Sequence, residues 1–435
     1  MANKSIFCNL PWQGVRIYSD GSYGICCAEK HKLYSNDLVN SYNLSSMTIN
    51  EWYNSDPVKQ LRMQILSDTP LALCVSCYNF ESVGNESMRI KHNIKSAIFP
   101  QSFDRSYKQS PWFNKFESSR TQGITDLTPI YWHVDLGNEC NLACKMCSDR
   151  NSSKIAATLQ RHGLSTKFQQ AKYSWTSNNQ MWSNFLKSIE QSPKLHALHI
   201  RGGEPTLMRK FLDLIDYLIE IDRTDISLSF ATNGTLIKGD LANKLLKFKD
   251  VDIEVSIETI DSSNDYIRQG SNINQVKQNI ETFINNSHDG IQLTLQSTIQ
   301  ALSITRYIDL LRFAWQNQLV IEGKAIYNPR YMTVDVLPRE FRLQFIQSFR
   351  DLANEVAEQI QHKVITVGRM DVADRILTEC NSAIQLLELP ENEQAVQLRS
   401  ALVQRCEFWD KEYKMNIKDY IPELHDLFTS WGYNV

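Results

Sequence analysis

From residue 130 onward the chain repeats one pattern six times: a short apolar run that reads as a strand, then a stretch with helical spacing. The runs fall at residues 130–136, 197–201, 226–231, 251–257, 291–298 and 320–326. Between them, Phe211, Leu212, Leu214, Ile215, Leu218 and Ile219 keep helical spacing, as do the apolar residues of 273–284. Strands alternating with helices imply right-handed βαβ units and a parallel sheet. Six units predict an α/β fold, a partial (β/α)6 barrel of TIM type or an open sheet.

The flanks read differently. In residues 1–98, Val15 and Ile17 alternate, Asp20-Gly21 follows, and Tyr23 and Ile25 alternate again, which is a hairpin signal. Residues 56–66 predict a helix, capped by Ser55 or Asp56 with Pro57 in its first turn. Residues 99–126 read as a linker whose aromatics, Phe103, Tyr107, Trp112, Phe113 and Phe116, predict packing on a neighbour. Beyond residue 339, Leu343, Phe345, Ile346, Phe349, Leu352, Ala353 and Val356 keep helical spacing. The expected division is therefore 1–98, a linker at 99–126, the repeated α/β region at 127–335, and a helical region at 336–435.

Composition narrows the partners. Lys plus Arg is 46 and Asp plus Glu is 49, a net charge of −3, so the chain lacks the basic footprint of a nucleic-acid binder. No apolar run approaches the ~20 residues of a membrane span, and residues 1–8 show no signal-peptide pattern. A cytoplasmic protein is expected.

Eight of the ten cysteines lie in roughly the first third of the chain. Cys380 and Cys406 stand alone and read as buried apolar residues. Cys140, Cys144 and Cys147 follow the first strand of the repeated region, where α/β folds keep their sites. Thiolates are soft ligands for iron–sulfur clusters and zinc. Three of them cap three irons of a [4Fe–4S] cube and leave the fourth open for chemistry, whereas a structural zinc site is closed by four.

The spacing Cys140-x3-Cys144-x2-Cys147 resembles the hallmark of the radical S-adenosylmethionine (radical SAM) enzymes, and further motifs fall at successive strand ends. Gly202-Gly203-Glu204-Pro205 is similar to the family's GGEP, Thr232-Asn233-Gly234 follows the third strand, and Ser256-Ile257-Glu258 ends the fourth. Met146 stands where the family commonly has an aromatic, and Glu258-Thr259 replaces its common Asp-Gly. The resemblance covers roughly residues 128–330. It implies that SAM chelates the open iron and that one electron cleaves it to methionine and a 5′-deoxyadenosyl radical, which abstracts a substrate hydrogen atom. It also implies that Gly202, Gly203, Glu204, Asn233, Ser256, Glu258 and Arg268 bind the cofactor. Glu204 would accept from the ammonium, Ser256 and Glu258 would meet ribose hydroxyls, and Arg268 would pair with the carboxylate.

A second cysteine set, Cys8-x12-Gly21-x4-Cys26 and then Cys74-x2-Cys77, resembles the SPASM or twitch auxiliary-cluster module, here preceding the barrel instead of following it. That resemblance implies one auxiliary [4Fe–4S] cluster held by Cys8, Cys26, Cys74 and Cys77, with Cys27 as an alternative to Cys26. The implied activity is that of an oxidoreductase which oxidises or crosslinks a peptide or protein, with the auxiliary cluster accepting an electron. Such an enzyme draws on a reductant such as flavodoxin or ferredoxin. A small hydroxylated substrate, a sugar or nucleotide, is the alternative. A non-catalytic protein with a four-cysteine zinc site is a further one.

Overall fold

The computed structural model describes residues 6–26, 42–82, 87–95, 113–164, 174–236, 239–286, 290–361 and 370–435. The chain divides into two compact units, Met1–Glu139 with Lys172–Pro205 and Arg209–Ser229, and Cys140–Ala171 with Thr206–Met208 and Phe230–Val435. Cys27 and the aromatics Phe103, Tyr107 and Trp112 lie outside the described residues. Among the described residues no helix is long and apolar enough to cross a membrane.

The first unit begins with the hairpin. Strands β1 (Gly14–Ile17) and β2 (Tyr23–Gly24) pair antiparallel, with Arg16 opposite Gly24 and Ile17 opposite Tyr23. The Asp20 Oδ1 accepts the Ser22 N–H at 2.9 Å and closes the turn. β1 also pairs in parallel with β3 (Tyr131–Asp135), which pairs in parallel with β5 (Ala197–Arg201). The start of β6 (Ser227–Thr232) lies beside β5 in the sheet, while the short strand β4 (Ala143–Cys144), between β3 and β5 in sequence, belongs to the second unit. Trp132, Val134, Leu198, Ile200 and Leu228 are buried on one face of these strands.

Around the hairpin sit the helices Ile49–Tyr53 and Asp56–Leu66, the first opened by a Thr48–Glu51 capping box and the second by Ser55 and Pro57. Phe116, from the helix Phe113–Glu117, is fully buried against Phe7 and Trp12, with ring centroids 5.1 and 5.2 Å away. The described end of the linker thus packs as its aromatics predict.

In the second unit β7 (Val251–Ser256), β9 (Ile291–Ile299) and β10 (Val320–Ala325) continue from the end of β6. β9 is parallel to both its neighbours. The predicted helical spacing becomes Ile273–Asn286 here and Arg209–Glu220 in the first unit. The region after residue 339 is helical: Ile346–Gln361, Met370–Glu388, Ala395–Tyr413 and Pro422–Ser430 are its longer members. Glu379 joins them to the sheet, accepting from the Gly323 N–H and the Tyr307 hydroxyl, each at 3.0 Å. Arg342 donates to the carbonyls of Leu386, Leu387 and Leu389, where the end of the helix Met370–Glu388 leaves acceptors unpaired.

Candidate functional site

The three-cysteine loop is built by short-range contacts. The Leu142 N–H donates to the Cys140 Sγ at 3.4 Å, and the Cys147 N–H to the Cys144 carbonyl at 2.9 Å. Ser152 caps the helix Ser153–Arg161 and donates to the Leu142 carbonyl at 2.6 Å, while the Cys140 N–H donates to Ser153 at 3.1 Å. The loop therefore leans on the first turn of the helix that follows it.

Across the loop, β4 pairs antiparallel with β8 (Arg268–Gln269), setting Cys144 opposite Arg268. The Arg268 guanidinium then reaches the Cys144 Sγ at 3.8 Å. Its Nε and Nη2 donate to one oxygen of Glu258, at 3.1 and 2.6 Å. The other oxygen accepts from the Ser297 hydroxyl at 3.1 Å and the Thr298 N–H at 2.7 Å. Glu258 is fully buried, so all four donors satisfy a carboxylate that water does not reach. Burial alone would lower the Arg268 guanidinium, but Glu258 and the Cys144 thiol beside it outweigh burial and hold it above its ordinary value. Burial raises the Cys144 thiol and pushes the Cys147 thiol up to about 12.

Asn233, just beyond β6, donates to the Asn141 Oδ1 at 2.9 Å, and Asn141 donates to Thr235 at 2.9 Å. The residue after Cys140 is thereby tied to the loop after β6. Ser256 ends β7, partly buried. Met146 is partly buried as well. Asn233 thus reaches the residue after Cys140, and Glu258 reaches Cys144 through Arg268, all within one unit.

Gly202, Gly203 and Glu204 lie in the first unit, directly after β5. Both glycines have positive φ, +99° and +54°. A Cβ on Gly202 would stand 2.5 Å from the Gly137 carbonyl oxygen, and one on Gly203 would overlap the Glu139 carbonyl. The Glu204 N–H donates to that same Glu139 carbonyl at 2.8 Å, and Glu204 is almost fully buried. Only glycine suits these two positions, both for backbone conformation and for space.

The second cysteine set is also in the first unit. Burial pushes the Cys8 thiol up to about 12, and Cys74 and Cys77 are close enough to add to this against the Leu10 N–H and Arg89. Cys74 ends the turn Ala72–Cys74, and Cys77 lies in the helix Val75–Ser82. Arg89 holds the segment before Cys8 by donating to the Phe7 carbonyl at 2.8 Å while paired with the buried Glu81. Cys26 follows β2, partly buried, its carbonyl 3.4 Å from Arg16.

The donor sets fit clusters. The thiols are clustered in short segments, and N–H and guanidinium donors face two of their sulfurs, which suits anionic thiolate ligands. Among the described residues no three Cys, His, Asp or Glu side chains gather closely enough to share a single metal ion. A cube spreads its ligands over separate irons.

A further group was missed at the level of sequence. In β3 and β5 every second residue is polar: His133 and Asp135, His199 and Arg201. Arg16 on β1 pairs with Asp135 at 2.7 Å, and the His133 Nε2 lies 3.3 Å from the same carboxylate. Arg201 donates to the His199 Nε2 at 2.8 Å, which puts the His199 proton on Nδ1, 2.7 Å from the Ser229 hydroxyl. The two imidazole rings are 4.8 Å apart. Parallel strands covered on both faces are apolar throughout, so this alternation was the available signal for a polar, partly accessible face.

Comparison with known proteins gives the same outline. Residues 134–296 match the Radical SAM superfamily, and residues 8–78 match the iron-sulfur cluster-binding domain SPASM. Over 173 residues the chain is 24% identical to the mycofactocin maturase MftC of Mycolicibacterium smegmatis, covering 40% of this chain and 38% of that protein. Over 192 residues it is 24% identical to the GTP 3′,8-cyclase of Rhodopirellula baltica, covering 43% and 48%. The matched stretch spans less than half the length of each of these relatives. Among solved structures, Streptococcus suis SuiB bound to precursor peptide SuiA aligns with a TM-score of 0.38 and 14% identity, over 72% of this chain and 65% of that one.

Proposed function

For a radical SAM enzyme with an iron–sulfur cluster-binding domain on its N-terminal side, which this chain is, we propose oxidation or crosslinking of a peptide substrate by hydrogen-atom abstraction. The observation that carries the oxidative reading is the second cysteine set, Cys8 beside Cys74 and Cys77. With both clusters and SAM bound, the protein has a source of a hydrogen-abstracting radical and an acceptor for the electron that abstraction leaves behind.

The chain's own residues supply the rest. Cys140, Cys144 and Cys147 hold the SAM-binding cluster. Arg268, fixed by Glu258, keeps a positive charge at the Cys144 sulfur. Gly202, Gly203 and Glu204 offer close backbone and a carboxylate to the methionine end of SAM, and Asn233 and Ser256 offer polar groups from the neighbouring strand ends. Cys8, Cys74, Cys77 and Cys26 or Cys27 hold the auxiliary cluster. One relative is named a maturase, in line with a peptide substrate.

A small hydroxylated substrate is the second reading, favoured by the polar face of β1, β3 and β5. Arg16, Arg201 and His199 suit a hydroxyl- or anion-bearing molecule. Burial lowers the His133 imidazole below its ordinary value, so it holds a proton less readily than a free imidazole.

The test is anaerobic incubation of reconstituted, reduced enzyme with SAM and a panel of peptides, sugars and nucleotides. The reading expects 5′-deoxyadenosine together with a peptide that has lost two hydrogens by mass spectrometry. Iron-loaded, reduced protein that binds SAM and never cleaves it would overturn the radical chemistry. Turnover of a sugar or nucleotide alone would transfer the assignment to the second reading. Changing Cys74 and Cys77 to Ala should spare SAM cleavage and abolish product; wild-type turnover by a folded variant lacking that cluster would remove the reason for an oxidation.

A further inference from the structure

The three-cysteine loop has a second set of partners, which the ligand chemistry does not require. Lys145, between Cys144 and Met146, is fully buried. Its Nζ lies 2.8 Å from the Asp410 Oδ1 and 3.9 Å from the centre of the Tyr266 ring. Asp410, on the helix Ala395–Tyr413, is fully buried too. Its second oxygen accepts from the hydroxyls of Tyr266 and Tyr433, at 2.8 and 2.7 Å.

The same helix reaches the loop twice more. Arg405 donates to the carbonyls of Lys145 and Cys147, at 3.4 and 3.3 Å. Trp409 packs in a core with Ala143 and Ile155, against which Cys147 rests. Lys145 is one residue beyond β4, and Tyr266 is two residues before β8. The Lys145 N–H also donates to the Ile267 carbonyl at 2.8 Å. Asp410 therefore grips both strands of the ribbon that sets Cys144 opposite Arg268.

A buried lysine is tolerated only when paired, and such a pair specifies one arrangement because either charge left alone is costly. Thiolate ligation asks nothing of the residue after Cys144, and an apolar side chain would fill the space at lower cost. We propose that Asp410 is a positioning residue for the SAM-binding cluster. Through Lys145 and Tyr266 it locks the β4–β8 ribbon, with Arg405 holding the loop's carbonyls, and so sets the placement of Cys144 and Cys147. The C-terminal helices, on this inference, act on the cluster loop. The inference rests on the reading that Cys140, Cys144 and Cys147 hold that cluster.

The experiment uses the full chain, anaerobically reconstituted, and reads bound iron, the electron paramagnetic resonance spectrum of the reduced protein with and without SAM, and the midpoint potential. In Asp410→Asn and Arg405→Met, the SAM-responsive signal should shift or broaden and its potential should move. Iron should fall from about eight toward about four per chain, and the signal unaffected by SAM should be unchanged. Should Asp410→Asn fail to fold by circular dichroism, the double variant Lys145→Met/Asp410→Leu leaves no buried charge unpaired and is read by the same criteria. Wild-type spectrum, potential and iron in a folded variant overturn the proposal. So does parallel loss of both signals, which marks general destabilisation. The triple variant Cys140→Ala/Cys144→Ala/Cys147→Ala separates the two claims. If it loses the SAM-responsive signal while Asp410→Asn keeps it unaltered, the positioning role fails alone. If it keeps every signal, the ligand assignment itself is wrong.

Discussion

The guanidinium of Arg268 stands 3.8 Å from the sulfur of Cys144 because the two residues face each other across a two-residue antiparallel ribbon. Glu258 holds that guanidinium from the other side. The buried carboxylate thus reaches the cysteine loop through Arg268, and its oxygens are taken by Arg268, Ser297 and Thr298.

Glu258→Ala leaves a buried guanidinium without its counter-charge, which costs roughly 3–5 kcal/mol. Glu258→Gln keeps the shape and one acceptor oxygen, and should cost less. Thermal unfolding of the two variants should rank them in that order. Melting of both variants at the wild-type temperature would mean that the ion pair contributes nothing to the fold.

Gly203→Ala places a Cβ onto the Glu139 carbonyl at a φ of +54°. The left-handed backbone alone costs roughly 1–2 kcal/mol, and the overlap adds to it. Gly163→Ala is the control, since Gly163 also has a positive φ, +66°, but nothing within 4 Å of a Cβ. Unfolding should be earlier for Gly203→Ala than for the control, and SAM binding should weaken only in the former. Identical behaviour would show that the close approach in the static structure relaxes freely.

Iron counting separates the two cysteine sets. Wild type should carry about eight irons per chain, and changing Cys140, Cys144 and Cys147 to Ala should leave about four. Changing Cys74 and Cys77 should remove the other four or so, by the same ligand count. A triple variant with full iron would sink the assignment of that loop.

The His133 imidazole is lowered by burial, with Arg16 and Arg201 adding to this and Asp135 opposing. Unfolding returns it to about 6.5. Below that value the unfolded chain binds the proton more readily than the folded one, so stability falls as the pH drops from about 6.5 through the lowered folded value. His133→Asn should flatten the loss of stability between about pH 6.5 and 5, measured by denaturant unfolding at several pH values. An unchanged slope would assign the acid sensitivity to other groups.

Local spacing already determined much of this protein. The strands come within a residue or so of the predicted runs, because alternation and helical spacing are properties of neighbouring residues. The Asp20-Gly21 hairpin, the Pro57 helix start and the position of each cysteine set after its strand or helix are equally local. Tertiary structure decided what local pattern cannot carry. β1 reads as half of a hairpin, yet it also extends the sheet in parallel with β3, whose nearest residue is more than a hundred positions away. Arg268 meets Cys144 across 124 positions, and Lys145 meets Asp410 across 265. A lysine between two cysteines and an aspartate in a distant helix each read as solvated surface in isolation. Burial turns them into partners, because a charge removed from water is stable only beside its opposite, and only the folded chain determines which charges are removed together.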